Sequence, residues 1–83
     1  MAAEIVWAKG GEAVVVALRE EAITLKSTIP SPPGSRIEGT LAEGEAAAVR
    51  VKIHSSKRQE DGSFVLEGRV LDLTRGLRER LGA

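Results

Sequence analysis

The stretch AAVRVKIH, residues 47–54, alternates apolar and polar side chains more regularly than any other part of the chain. Successive side chains of a β-strand point to opposite faces of the sheet, so this pattern predicts a strand with one face in a core and the other in solvent. The predicted inner and outer residues are, respectively, Val49, Val51 and Ile53, and Arg50, Lys52 and His54. The outer face of this strand is therefore basic.

Five further segments have the β-branched composition and the turn-residue boundaries of short strands. They cover residues 5–8, 13–18, 22–28, 36–41 and 63–73. The segment 13–18 is apolar throughout, which favours a strand that is covered on both faces or lines a barrel interior. The stretch IPSPPGS, residues 29–35, leaves the sheet because proline cannot donate ladder hydrogen bonds, and its Pro33-Gly34 turn starts the next strand.

The last two strands are joined by a polar connection. The run SSKRQEDGS, residues 55–63, is predicted to be a hairpin loop that closes on Asp61-Gly62. In the strand that follows, Gly68 indicates a bulge or bend where the sheet curls. The predicted core residues of that strand are Phe64, Leu66 and Val70.

A short helix is predicted at the C-terminal end, over residues 75–81, with Thr74 as its N-cap. Leu77 and Leu81 lie four residues apart and therefore share one face of this helix. Together with Leu73 they are expected to cover one end of the sheet. A helix this short does not persist in isolation, so it must dock on the strands.

The element pattern predicts the fold class. Six short strands and one helix in 83 residues favour a small closed barrel, because closure removes exposed strand edges. The chain is also too short for a second independent core. We therefore expect one all-β domain over residues 1–83, a six-stranded antiparallel barrel with one short C-terminal helix.

The order of these elements and the PPGS turn, residues 32–35, resemble the PilZ domain family. The matching segments are AITLKSTIPSPPGSRIEGTL, VRVKIHSS, FVLEGRVLDL and TRGLRERL, and the resemblance covers about residues 13–81. It implies a six-stranded PilZ-like barrel whose last strand runs into a C-terminal helix. It also implies a bacterial signalling role, in which the domain binds cyclic diguanylate and relays that signal to a partner protein.

The ligand motifs of the family are missing from this chain. PilZ domains that bind the dinucleotide carry two arginines four residues apart and an Asp/Asn-x-Ser-x-x-Gly run at the second strand. Here no two arginines are four apart, and the run aligns with Ala17, Arg19 and Ala22. Phosphates and guanine edges need forked guanidinium donors and a positioned acid or amide. We therefore expect a degenerate member that does not bind cyclic diguanylate and acts through protein–protein interaction.

The composition narrows the partner classes. Twelve basic and twelve acidic side chains cancel, so no overall field attracts nucleic acid or an anionic membrane. Residues 1–49 carry four Lys/Arg against seven Glu, a net of −3, and residues 50–83 carry eight against five, a net of +3. This split would suit a two-fold homodimer. The chain has no cysteine, secretory signal or long apolar run, so a cytoplasmic location is expected.

The sequence contains no pattern typical of an active site. His54 is the only histidine, and the acid pair Glu20-Glu21 lies in a predicted turn with no nucleophile beside it. The glycines do not have the spacing of a phosphate-binding loop. Because no cysteine or second histidine could share a metal ion with His54, we expect neither an enzyme nor a cofactor or metal site.

The first candidate binding surface is a basic face. It comprises Arg50, Lys52, His54, Lys57 and Arg58. A cationic strand face can track a phosphate backbone, so a nucleic-acid-binding barrel is the alternative to a protein-binding module. Such a face is also compatible with ordinary solvation, and aromatic platforms are missing. We therefore expect only weak, salt-sensitive binding of nucleic acid.

The second candidate surface joins the N-terminal strand to the C-terminal helix. Trp7 is either a lid over an open end of the barrel or an exposed anchor for a partner, since tryptophan is enriched in interface hot spots. Arg75, Arg78 and Arg80 are predicted on the outer face of the helix, where they would contact acidic residues of an unidentified protein partner.

Overall fold

The structure, a computed structural model, describes residues 3–42 and 47–82. Its elements are β1 (Glu4–Trp7), β2 (Glu12–Arg19), β3 (Ala22–Ser27), β4 (Arg36–Leu41), β5 (Ala48–Arg58), β6 (Phe64–Leu71) and α1 (Arg75–Gly82). The strands pair antiparallel in the order β1-β2-β3-β6-β5-β4, and β1 also pairs with β4. The sheet is therefore a closed barrel, which confirms the predicted six-stranded all-β barrel with a short C-terminal helix.

The interior of the barrel is filled by alternate residues of every strand. The alternation that predicted β5 holds, since Val49, Val51 and Ile53 are fully buried and the residues between them are exposed. Burial of this apolar surface, at about 25 cal/mol per Å², is the main term that stabilises the barrel. The buried apolar residues are Ile5, Trp7, Ala13, Val15, Ile23, Leu25, Ile37, Leu41, Val49, Val51, Ile53, Leu66, Val70 and Leu81.

The apolar run of β2 favoured either a strand covered on both faces or a strand that lines the barrel interior, and the structure agrees with the second. Only alternate side chains face the interior, so this strand is not covered on both faces. Val14 and Val16 point outward with 38% and 62% of their surface exposed. The pairing with β3 shifts register between Val15 and Ala17, which makes Val16 the extra residue of a β-bulge. The run therefore lines the barrel with half of its side chains and leaves an apolar outer surface.

Strand β5 is longer than predicted, and the loop after it is shorter. Residues 55–58 were expected in the loop, but Lys57 and Arg58 pair with Val65 and Phe64 of β6. Phe64 itself is only half-buried, at the edge of the core that it was predicted to join. Outward-facing positions of a strand tolerate polar side chains, so a polar run does not by itself mark the end of a strand.

The remaining turn closes on Asp61-Gly62, as predicted. The Asp61 carboxylate accepts hydrogen bonds from the side chain (2.6 Å) and backbone N–H (2.9 Å) of Ser63. These bonds, together with Lys26 Nζ at 3.1 Å, hold the pKa of Asp61 well below its usual range. Because the pKa is lowered in the folded state, this contribution is present at neutral pH and is lost in strong acid as the pH falls through the lowered pKa.

Helix α1 docks against the barrel through leucines. The Thr74 hydroxyl accepts a hydrogen bond from the backbone N–H of Leu77 at 3.2 Å, so Thr74 is the N-cap that the sequence predicted. Leu81 is buried, while Leu73 and Leu77 are half-buried against the core. In the part of the chain that the structure describes, no helix has the length and apolarity that a membrane crossing demands.

The unequal burial of the helix leucines gives a first testable prediction. We expect Leu81→Ala to lower the free energy of unfolding by about 2 to 4 kcal/mol, because it leaves a cavity under the helix. Leu77→Ala is expected to cost about 1 to 2 kcal/mol, since part of its surface is already in water. Urea unfolding followed by circular dichroism measures both values. Equal costs would mean that the helix docks differently in solution.

Candidate functional site

The basic residues of β5 do not form one continuous surface. Arg50 faces two carboxylates, with Nε 3.5 Å from Glu38 Oε1 and Nη1 3.8 Å from Asp72 Oδ2. Lys57 lies five residues beyond Lys52, about 16 Å along an extended strand. Arg58 lies opposite Phe64 at the rim of the barrel. By the alternation of the strand, this position is on the inner face of the sheet and not on the outer face with Lys52. Of the predicted basic face, Lys52 and the exposed His54 remain at its centre.

The pairing register adds cations from other strands to Lys52. Arg36 of β4 lies directly opposite Lys52, and Arg69 of β6 lies opposite it on the other side. Continuing in the same direction, Arg69 is opposite Ala22 of β3, and Ala22 is opposite Arg19 of β2. All five side chains are exposed. We call Arg36, Lys52, Arg69 and Arg19 the cation row; it crosses five neighbouring strands at right angles to them.

The cation row is electrostatically unfavourable in the isolated domain. Residues directly opposite in an antiparallel pair have Cβ atoms about 4.5 to 5.5 Å apart, and like charges placed there are destabilising. Arg69 is compensated by an ion pair with Glu21. Among the described residues, no ion pair includes Arg19, Arg36 or Lys52. The row therefore carries a charge that an anionic group from outside the domain would neutralise.

A shallow depression lies between Arg69 and Arg19 of the cation row. It has a volume of about 370 Å³, and Gly68 and Ala22 are the two smallest residues in its lining. Arg19, Arg69 and His54 line it as well. Glu20 and Glu21, in the β2–β3 turn, also line it. The small side chains leave room for an incoming group to approach both guanidinium groups.

Trp7 is inside the barrel, so the interpretation of Trp7 as an exposed anchor is wrong. Only 2% of its surface is exposed. Its indole Nε1 donates a hydrogen bond to the Ser27 hydroxyl at 2.9 Å, which satisfies the polar end of the ring within the core. Gly39, directly opposite Trp7 on β4, provides the space for the ring. A partner therefore cannot reach Trp7 without opening the barrel.

The arginines of α1 are separate from the cation row. Arg75 and Arg78 are exposed, and Arg80 is half-buried. Arg75 and Arg78 line a groove of about 710 Å³ between the helix and the β2–β3 turn, together with Glu20, Glu21 and Glu79. The basic and acidic side chains in this groove offset one another. The predicted partner contacts of these arginines stay a prediction.

Within residues 3–42 and 47–82, no group of three or more His, Asp or Glu side chains is arranged to hold a metal ion. Comparison of the chain with protein-family models, curated proteins and solved structures finds no match.

Sequence reasoning found one member of the cation row and missed three. Arg19 ends β2, Arg36 begins β4 and Arg69 lies within β6, and nothing in the sequence around them marks them as special. The only available signal is the register, because the row exists only once β4, β5 and β6 are aligned. The cation row can therefore be predicted from the sequence only when the order of the strands is already known.

Proposed function

We propose that this chain is a non-catalytic regulatory module of the bacterial cytoplasm, a degenerate PilZ-like barrel that acts by binding a partner protein through the cation row. The observation that carries the proposal is the direct apposition of Arg36, Lys52 and Arg69 on neighbouring strands. Like charges in this arrangement reduce the stability of the free domain, and an acidic partner reverses that cost. An acidic partner that binds the cation row is thus expected to raise the stability of the domain.

The closed sheet determines how such a partner is recognised. A partner that adds a strand needs a free sheet edge. Every strand of the closed sheet has a neighbouring strand on each side, although β2 beyond Val15, β4 before Glu38 and β5 beyond Ile53 pair on one side only. We propose that recognition uses the side chains of the cation row, which project from the outer surface. Lys52 and Arg69 pair with neighbouring strands on both sides, whereas Arg36 and Arg19 pair on one side only, so the spacing of the cations is fixed at the centre of the row before binding.

The surroundings of the row favour a protein over a single-stranded nucleic acid. Binding of single strands without sequence preference relies on bases stacked on exposed aromatic rings. The chain has two aromatic residues. Trp7 is enclosed in the barrel, and Phe64 is half-buried on the inner face of the sheet, opposite to the face that carries the row.

A charge-matched pair of variants tests this function. The probe is a labelled oligoglutamate peptide, followed by fluorescence anisotropy at low ionic strength. We expect Arg36→Gln/Lys52→Gln to weaken binding by about 1 to 2 kcal/mol, or about 5- to 30-fold, since each removes an exposed ion pair. Lys57→Gln/Arg58→Gln removes the same charge outside the row and is expected to leave the affinity nearly unchanged.

Stability gives a second readout on the same variants. Removing the repulsion is expected to raise the free energy of unfolding of Arg36→Gln/Lys52→Gln by about 0.2 to 1 kcal/mol. Cyclic diguanylate serves as the negative control ligand, since Ala17, Arg19 and Ala22 replace its binding motif. Equal loss of peptide binding in both double variants would refute the proposal, because it would reflect net charge and not the row.

A further inference from the structure

We propose that Arg36 and Lys52 together bind one phosphoryl group of the partner, carried by a phosphorylated serine or threonine side chain. This inference rests on the proposed function and specifies the anionic group that the partner presents. Its basis is that the two cations lie directly opposite each other on β4 and β5, outside every ion pair of the described residues. The site spans a single step between neighbouring strands, about 4.8 Å, so the curvature of the barrel does not separate its two members.

The hydrogen-bond pattern of the sheet brings the two side chains close together. The backbone N–H of Ile53 donates across the strands to the carbonyl oxygen of Ser35 at 2.8 Å. Because successive residues of a strand direct their backbone groups to opposite edges, those of Lys52 point away from β4. Arg36 and Lys52 are therefore a non-hydrogen-bonded pair, the type in which Cα atoms are about 4.5 Å apart and side chains lie closer. One group on the outer surface can contact both side chains.

Two neighbouring cations are already compensated by acidic residues of the domain. Along β5, Arg50 contacts two carboxylates, and on β6, Arg69 contacts one. The exposed side chains of Arg36 and Lys52 have no such contact within the described part of the chain. Arg19 is also outside these ion pairs, but it lies three strands away from Lys52. Uncompensated positive charge is thus concentrated at the Arg36–Lys52 pair.

The approach to the pair is open at the start of β4. Gly34, two residues before Arg36, has no side chain, and a Cβ atom there would meet nothing within 4 Å. On the opposite side, the carboxylate of Glu38 is engaged by Arg50, with 3.5 Å between Oε1 and Nε. Glu67 of β6 is two strands away from Arg36. An anionic group can therefore reach the pair over Gly34 without passing over a carboxylate of the described residues.

The chemistry of the two cations favours a phosphoryl group over a carboxylate. A carboxylate has two oxygens, and the guanidinium fork of one arginine occupies both. A phosphoryl group has three terminal oxygens and carries about 1.5 to 2 negative charges at neutral pH, so it can accept from the arginine fork and from the lysine ammonium together. It also offsets the repulsion between the two cations. A phosphorylated side chain therefore fits the Arg36–Lys52 pair better than a single Asp or Glu.

The test compares three labelled peptides that differ only at their centre, which is phosphoserine, two adjacent glutamates that match its charge, or serine. Fluorescence anisotropy with the full chain at low ionic strength measures the affinities. We expect the phosphoserine peptide to bind at least about tenfold more tightly than the glutamate-pair peptide, because one group then contacts both cations. Arg36→Gln and Lys52→Gln are each expected to abolish this preference, whereas Lys57→Gln/Arg58→Gln is expected to preserve it.

The outcomes separate this inference from the function beneath it. Equal affinity for the phosphoserine and glutamate-pair peptides, with both weakened by Arg36→Gln/Lys52→Gln, would overturn the phosphoryl site and leave the acidic partner in place. A phosphoserine preference that survived Lys52→Gln would overturn the shared contact. Inorganic phosphate that bound as tightly as the phosphoserine peptide would overturn a side chain of the partner as its source. Tighter binding of an oligothymidylate than of any peptide, or no binding of any probe, would overturn both proposals.

Discussion

Replacing Gly68 with alanine is expected to lower the free energy of unfolding by about 3 kcal/mol, at the upper end of the cost of overpacking. A Cβ atom at this position would lie 2.2 Å from the backbone oxygen of Lys52 and 3.1 Å from Val51 Cγ1. The first of these atoms belongs to the main chain of β5, so it cannot move aside as a flexible side chain would. A domain of this size has a total stability of roughly 4 to 12 kcal/mol, so the loss is a large part of it.

The matched control for this substitution is Gly76→Ala in α1. A Cβ atom there meets nothing within 4 Å, and alanine is the better helix former. We expect this variant to be more stable than the wild type by about 0.5 to 1 kcal/mol. Chemical denaturation measures both variants under the same conditions. If Gly68→Ala were as stable as the wild type, the close approach of β5 to β6 would not exist in solution.

Gly68 also links the fold to the candidate site. The register of β5 against β6 shifts between Ile53 and Ser55, so His54 is the extra residue of a bulge opposite Gly68. The bulge that Gly68 indicated in the sequence is thus on the neighbouring strand. Lys52, whose carbonyl approaches Gly68, is in the cation row. An alanine that displaces this carbonyl is therefore expected to move Lys52 relative to Arg69.

Alternation along single strands is the part of the fold that sequence predicts well. In β4 and in the first half of β5, every second side chain is apolar and buried, and the helix cap at Thr74 is read directly from residue type. These features are local, because they depend on the period of one strand or on one hydrogen bond. The strand count and the fold class follow from them.

Features that depend on pairing between distant segments could not be predicted in this way. The end of β5 is set by its partners in β6 and not by the polarity of residues 55–58. The cation row combines residues from four strands, and a one-residue slip in any pair would separate them. A single sequence does not determine these registers, so the site becomes apparent only from the three-dimensional arrangement.

Trp7 shows the same limit, since the sequence left it either as a lid over an open end of the barrel or as an exposed anchor for a partner. Its indole spans from β1 to the end of β3, where the Ser27 hydroxyl accepts from Nε1 and donates to the carbonyl oxygen of Ile29 at 2.8 Å. The ring occupies the space above Gly39, where a Cβ atom would lie 2.8 Å from Trp7 Cε3. Packing and one buried hydrogen-bond network therefore depend on this one side chain.

Trp7→Ala is accordingly expected to lower the free energy of unfolding by about 3 to 5 kcal/mol, because it leaves a large cavity in the barrel. Trp7→Phe keeps most of the ring contacts but removes the Nε1 donor to Ser27, and we expect it to cost about 1 to 2 kcal/mol. Denaturant unfolding gives both values, and their difference separates packing from the hydrogen bond. Because Trp7 is enclosed, Trp7→Phe is expected to bind the oligoglutamate peptide as the wild type does. A folded Trp7→Phe variant that lost this binding would place Trp7 in the partner surface after all.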